Sequence, residues 1–351
     1  MVDWDVALST ASKLVKSGPE ISREGAAAAV AELRTCAERA EAYVTEVTGL
    51  TTPGGTAPVL VVDRTRWIEA NLDGFREILA PLNAKAVEKL SQGNPTMAGL
   101  GARVSGAEIG ALLSYLAPKV LGQFDPFYPG ADGEPGGRLL LVAPNIVAVE
   151  RELGVSPTDF RLWVCLHEET HRVQFTAVPW LREHMIAKAR SVGTQIMPEP
   201  DQMGQRLTEI VTRLPGVLNG TEDITQVMAT PEQREKLAEV TAIMSLLEGH
   251  ADVVMDGVGP EVIPSVAQIR AKFTVRRQGQ GFDKVIRKLL GLDAKMRQYR
   301  DGAAFCRAVI AEVGMTGLNR VWTSPDTLPS RAEIANPELW VARVHPEPAG
   351  D

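Results

Sequence analysis

Apolar residues recur at helical spacing through most of this chain and at strand spacing in only two short stretches. Residues 4–16 and 23–48 predict a pair of helices, parted by Gly18-Pro19, the second closed by Gly49. Val59–Val62 predicts a short strand ahead of a helix over 65–79, and a further helix is expected over 106–121. Tyr128–Gly137, rich in glycine and proline, has no period and reads as a loop. It leads into Arg138-Leu-Leu-Leu-Val-Ala143, the best strand candidate in the chain. Ser156-Pro157-Thr158-Asp159 is a helix start, with Ser at the cap, Pro at the first turn and an acid placed to close a capping box. That helix should run over 157–176 and end before Pro179. Thr230-Pro231-Glu232-Gln233 repeats the start signal; Leu237, Val240, Ile243, Met244 and Leu247 then keep the period until Gly257 offers a stop. The fold class that follows is mainly α with a small β-sheet.

Within the 157–176 helix lies His167-Glu168-Glu169-Thr170-His171. A four-residue step turns a helix by about 400°, so both imidazoles leave one face about 6 Å apart along the axis. Two nitrogens so placed suit one tetrahedral zinc, and Glu168, about 100° round, suits a base that takes a proton from water there. Chance is a poor explanation, because the chain has only 5 histidines among its 351 residues. Glu169 and Arg172 are charged where zinc peptidases are usually uncharged; three residues apart, they are expected to pair on the wet side of the helix. Cys165, about 160° from His167, reads as a packed core thiol rather than a ligand.

A catalytic zinc site needs a third protein ligand. The later helix carries Glu248-Gly249-His250-Ala251-Asp252. Glu248 and Asp252 share a face and His250 points the other way, so Glu248 and His250 are rivals. Glu248 is the favoured ligand, with Asp252 one turn on as the partner that fixes the tautomer of a zinc-bound histidine. Gly249, having no side chain, would let another helix approach closely. His250 remains open, as the ligand of a three-histidine site, as a donor to a developing oxyanion, or as a histidine satisfied in the core with Glu248 and Asp252 forming an exposed acidic edge. Tyr299 and His184 are the other candidates for that donor.

These motifs resemble the Glu-zincin arrangement of metallopeptidases, in which a second helix supplies a glutamate ligand followed four residues later by Asp. More specifically, the stretches V-D-W-D-V-A, A-E-A-Y-V-T-E-V-T-G-L, V-V-D-R-T-R-W-I-E-A-N, L-L-L-V-A-P-N-I, E-G-H-A-D-V-V-M-D and L-P-S-R-A-E-I resemble an actinobacterial family, zincin-like metallopeptidase type 2. Its members are also labelled as associated with biosynthesis of a deazaflavin coenzyme. The resemblance implies a zincin-like fold with helical additions and bound Zn2+. It also suggests that the strand just before the metal helix forms a sheet edge where an extended peptide could add, with an ordinary buried strand at least as good a reading of the same residues. The chain is read as one zincin-like unit over 1–351: an N-terminal helical part (1–125), a metal-site core (126–260) and a C-terminal helical part (261–351).

The net charge of −7 argues against a general nucleic-acid binder. The acidic start lacks a signal-peptide pattern, and no apolar run is long enough to span a membrane, so a cytoplasmic protein is expected. Three scattered cysteines give no disulfide framework. Arg270, Lys272, Arg276, Arg277, Lys284, Arg287 and Lys288 form a basic stretch that could meet an anionic substrate group or simply line solvated helices. The expected function is a zinc-dependent hydrolase, most simply a metallopeptidase, acting on a peptide or small molecule with Glu168 as general base. The alternative is a zinc-binding protein without turnover. Glu168-x-x-His171 also fits one half of a di-iron carboxylate site, but three residues beyond Glu248 stands Ala251 rather than His.

Overall fold

The computed structural model describes residues 2–52, 57–90, 95–129, 136–196, 231–278 and 292–346. Helices dominate, with one three-stranded sheet. In chain order they are α1 (Trp4–Leu14), α2 (Arg23–Thr48), β1 (Val59–Val62), α3 (Arg64–Leu90), α4 (Pro95–Leu116), β2 (Gly122–Asp125), β3 (Arg138–Val142), α5 (Ala143–Leu153), α6 (Pro157–Ala177) and α7 (Pro179–Ile196). After the segment outside the described residues come α8 (Pro231–Val262), α9 (Val266–Gln278), α10 (Leu292–Leu318), α11 (Arg331–Ala335) and α12 (Pro337–Val344). The chain divides into two compact units, one of residues 1–182 and 254–272, the other of residues 183–253 and 273–351.

The first unit is built on the sheet. β3 lies in the middle, parallel to β1 and antiparallel to β2, in the order β1-β3-β2. Leu140 and Val142 of β3 join a buried cluster with Ala7 and Ala11 of α1, Trp67, Ile68, Ala70 and Leu72 of α3, and Leu113 of α4. Strand alternation sends Leu139 and Leu141 to the other face, where α6 packs. The strand before the metal helix is therefore the central strand, and among the described residues the edges are β1 and β2, of which the hydrophobic pattern did not announce β2. α1 and α4 approach so closely that a Cβ on Gly106 or Gly110 would lie 2.2 Å and 2.3 Å from the carbonyl oxygens of Asp3 and Ala7. Gly49 closes α2 in the left-handed conformation as expected, at φ 68°.

One buried bracket ties the first unit together. Arg64, at the start of α3, donates to Asn145 Oδ1 (2.7 Å) and to the Lys16 and Ser17 carbonyls. Asn145 in turn donates to the carbonyls of Ala117 and Val120 (2.6 Å each). Four loop or helix-end carbonyls thus find donors inside the core, where an unmatched one would cost about 1–3 kcal/mol.

The described residues of the second unit are helical, with no strand among them. α8 and α10 cross backbone to backbone: a Cβ on Gly302 would fall 1.8 Å from the Ser245 carbonyl oxygen, and one on Gly249 would fall 2.1 Å from the Gly302 carbonyl carbon. α8 runs through Gly257, the expected stop, and breaks instead at Gly259 (φ 71°), immediately before Pro260. The terminal L-P-S-R-A-E-I stretch is a capping box. Ser330 Oγ accepts from Glu333 N–H, and Glu333 accepts from Ser330 N–H and from Arg343 on α12.

Candidate metal centre

α6 carries the histidine pair on a helix that the sequence defines well. Ser156 caps it by accepting from Asp159 N–H, although the Asp159 carboxylate does not return the favour. It accepts instead from Ser265 N–H (3.0 Å) and Oγ–H (2.6 Å), pinning the start of α9. Phe160, Leu162, Val164, Cys165 and Leu166 are buried, so the helix is held on several sides and the histidines sit in its rigid middle.

His167 and His171 are half-buried, and their rings meet edge to face. Their Nε2 atoms lie 3.3 Å apart. Two nitrogens bound to one tetrahedral zinc at about 2.0–2.1 Å are separated by about 3.3–3.4 Å. The pair thus has the spacing that one metal ion requires. His171 Nδ1 lies 3.0 Å from the amide oxygen of Gln174, an acceptor, so Nδ1 carries the proton and Nε2 presents its lone pair. Gln174 is fully buried. The sequence reading missed it, although its place one turn after His171 on the same helix was the signal available.

Glu248 on α8 is half-buried. One ligand atom each from His167, His171 and Glu248 lie within 4.8 Å of one another. Among the described residues this is the one group of three or more such side chains that could hold a metal ion, and its donors, two imidazoles and one carboxylate, fit a divalent metal such as zinc. Gly249 does what its lack of a side chain suggested, admitting α10 beside Glu248.

His250 is fully buried, with its ring set edge to face on Trp322 (centroids 5.3 Å). Asp252 accepts from Arg307 of α10 at 3.0 Å. Tyr299 lies on α10, in a stretch whose side chains fall outside the described residues. His184 is half-buried on α7; burial, together with nearby Lys188, lowers its pKa.

Glu168 is 8% exposed and lies against β2. The α-carbon of Gly122 passes so close that a Cβ there would stand 2.5 Å from Glu168 Cγ, 2.6 Å from Cδ and 2.9 Å from Oε1. Among the described residues β2 pairs only with β3. In that register Val142 N–H bonds to the Leu121 carbonyl and Gln123 faces Leu140, so the peptide groups of Gly122 and Phe124 point to the outer edge. Gln123 and Asn71 of α3 exchange two amide hydrogen bonds (3.0 and 3.2 Å) that hold the strand from its other face.

The two charges that looked foreign to the motif pack against α2. Glu169 and Arg172 do pair, at 2.5 Å, but not on a wet surface: Glu169 is fully buried and Arg172 nearly so. α2 covers them, and its Glu41 gives Arg172 a second carboxylate at 2.7 Å. Burial lifts the Glu169 carboxyl to about 6 against the pull of Arg172, and its Oε2 has no hydrogen-bond partner among the described residues. Cys165 is a core thiol as expected, and it meets Cys36 of α2 across the same interface. The hydrogen bond between them and burial push the Cys165 thiol well up, while the same bond lowers Cys36.

Arg270 and Lys272 of the basic stretch have structural partners. Arg270 pairs with Asp256 at 2.8 Å, and Lys272 donates to the carbonyls of Leu153 and Gly154 at the end of α5. Lys284, Arg287 and Lys288 lie outside the described residues, as does the side chain of Arg277.

Residues 2–341 match the zincin-like metallopeptidase family, and the chain belongs to it. Among solved structures it is similar to a protein from Chloroflexus aurantiacus described as "a putative hydrolase with a novel fold". The two are 32% identical over 99% of this chain and 100% of that one, with a TM-score of 0.68. No curated protein matches the sequence. Family membership implies a divalent metal, and no described helix is long and apolar enough to cross a membrane.

Proposed function

We propose that this chain is a zinc-dependent hydrolase and, most simply, a peptidase. The observation that carries the reading is the 3.3 Å separation of the two Nε2 atoms, with a Glu248 oxygen completing a set of ligand atoms within 4.8 Å of one another. His167, His171 and Glu248 would hold the metal, and Gln174 would keep His171 in the tautomer that binds it. Zinc supplies Lewis acidity, polarising a scissile carbonyl and bringing the pKa of water toward neutrality. Glu168 is the proton carrier: its carboxylate takes a proton from the attacking water and returns it to the leaving nitrogen.

Among the described residues no strand pairs with the outer edge of β2, which favours an extended peptide over a compact metabolite. The outward peptide groups of Gly122 and Phe124 lie beside Glu168, where a substrate strand could pair with them. Glu168→Gln tests the reading. The variant should bind zinc with the wild-type stoichiometry of one per chain and cleave a fluorogenic peptide library at least about 100-fold more slowly. Wild-type protein that binds zinc yet cleaves nothing would instead support a metal-binding protein without turnover. Two irons per chain would point to a carboxylate-bridged site.

A further inference from the structure

We propose that Gly122 is a positioning residue that fixes where the Glu168 carboxylate sits, an inference that rests on the hydrolase reading of the same site. Two surfaces confine Glu168: its own helix α6, which packs on the sheet, and the β2 backbone beneath its side chain. The Cβ that any other residue would place at 122 enters the side chain at Cγ, Cδ and Oε1 together, at 2.5, 2.6 and 2.9 Å. Ordinary carbon–carbon contact is about 3.5–4.0 Å, so the carboxylate would have to move by about 1 Å. The strand is poorly able to give way instead. Leu121 and Gln123 are bonded to β3 on either side of Gly122, and Asn71 clamps the Gln123 side chain. Gly122 is not left-handed, so the demand for glycine comes from the approach of Glu168 and not from backbone conformation.

The three atoms nearest that Cβ all belong to Glu168, and none to His167, His171 or Glu248. Gly122→Ala should therefore separate metal binding from turnover. Zinc affinity, measured by competition with a chromophoric chelator, should stay within about threefold of wild type. On the fluorogenic peptide library, kcat should fall about 100-fold, the usual cost of a 1 Å misplacement, with KM little changed. Thermal melting of the metal-free protein supplies a readout that needs no substrate. Gly122→Ala should lower Tm by about 5 °C on its own and by much less in a Glu168→Ala background, where Cγ, Cδ and Oε1 are gone.

Undiminished kcat in the variant would overturn the proposal. So would an equal loss of Tm in both backgrounds, since the added methyl would then be clashing with something else. If the wild-type protein cleaves no peptide, the hydrolase reading fails by itself. The melting cycle would still decide whether Gly122 sets the position of Glu168.

Discussion

Gln174 offers the sharpest test of how the histidine pair is held. Replacing it with Met keeps the length of the side chain and removes the acceptor 3.0 Å from His171 Nδ1. In the folded protein Gln174 is fully buried, so water cannot easily stand in for the lost oxygen. Two consequences add. The Nδ1 proton loses a buried partner, which costs about 1–3 kcal/mol. The ring is also free to turn or to carry its proton on Nε2, which removes the lone pair the metal needs. Loss of such an outer partner typically weakens metal affinity 10- to 100-fold, or about 1.4–2.7 kcal/mol, and the two estimates agree. Gln174→Glu should do the opposite, because a carboxylate accepts the same hydrogen bond more strongly and raises the basicity of the imidazole. Zinc affinity of the three proteins, measured by chelator competition at pH 7.5, should rank Glu at or above Gln, and Gln above Met by at least about tenfold. Equal affinities for the Gln and Met forms would refute the reasoning, and would mean that helix packing alone orients His171.

Other predictions follow from the same contacts. Gly302→Ala should push α8 from α10, since its Cβ would fall 1.8 Å from the Ser245 carbonyl. Tm should drop several degrees and zinc affinity should fall as Glu248 moves, whereas Gly101→Ala, on an open helical site, should leave both intact or raise Tm. Glu169, held at about 6 in the fold against an ordinary 4.5, keeps its proton longer when folded than when unfolded. Its contribution to stability is therefore present at low pH and is lost as pH rises from 4.5 to about 6, by about 2 kcal/mol. Urea unfolding of metal-free Glu169→Gln should gain that much on wild type across the interval, and parallel pH profiles would refute the assignment. Glu333 has the opposite sign: burial raises its pKa, but its bonds to Arg343 and Ser330 outweigh burial and leave it lowered. Glu333→Gln should cost about 1 kcal/mol at pH 7, and the difference should close as pH falls through the folded-state pKa.

Much of this site could be read from the chain because its determinants are local. The spacing of His167 and His171, the Ser156-Pro157 start and the apolar run through Leu166 all act within one helix, and a helix turns every residue in it by the same angle. Glu248 was legible for the same reason, as one of two rivals set by helical phase. Partners that come from distant segments were not legible. Glu169 and Arg172 were seen to be a pair, but nothing nearby in sequence tells that Glu41 of α2 covers them. β2 escaped notice because Gly-Gln-Phe-Asp is too short and too polar to show a strand period, and its pairing depends on β3. For β3 the resemblance suggested an edge while an ordinary buried strand stayed equally open, and the buried central strand is what the sheet order gives. The end of α8 was misplaced by two residues, since a glycine can sit inside a helix, as Gly257 does, and only Gly259 turns left-handed.

The division between the two units falls inside α8, between Val253 and Val254, and the first unit is completed only by residues 254–272. Neither unit is thus a contiguous stretch of gene, which orders events during synthesis. The histidine pair emerges 77 residues ahead of Glu248, a lag of about 4–15 s at ordinary elongation rates. Throughout that interval the nascent protein owns two of the three candidate ligands, and the unit that holds them still lacks its last segment. Metal capture therefore belongs to the end of folding: a ribosome-bound chain stopped before Glu248 should release zinc readily, and one extended past Lys272 should retain it.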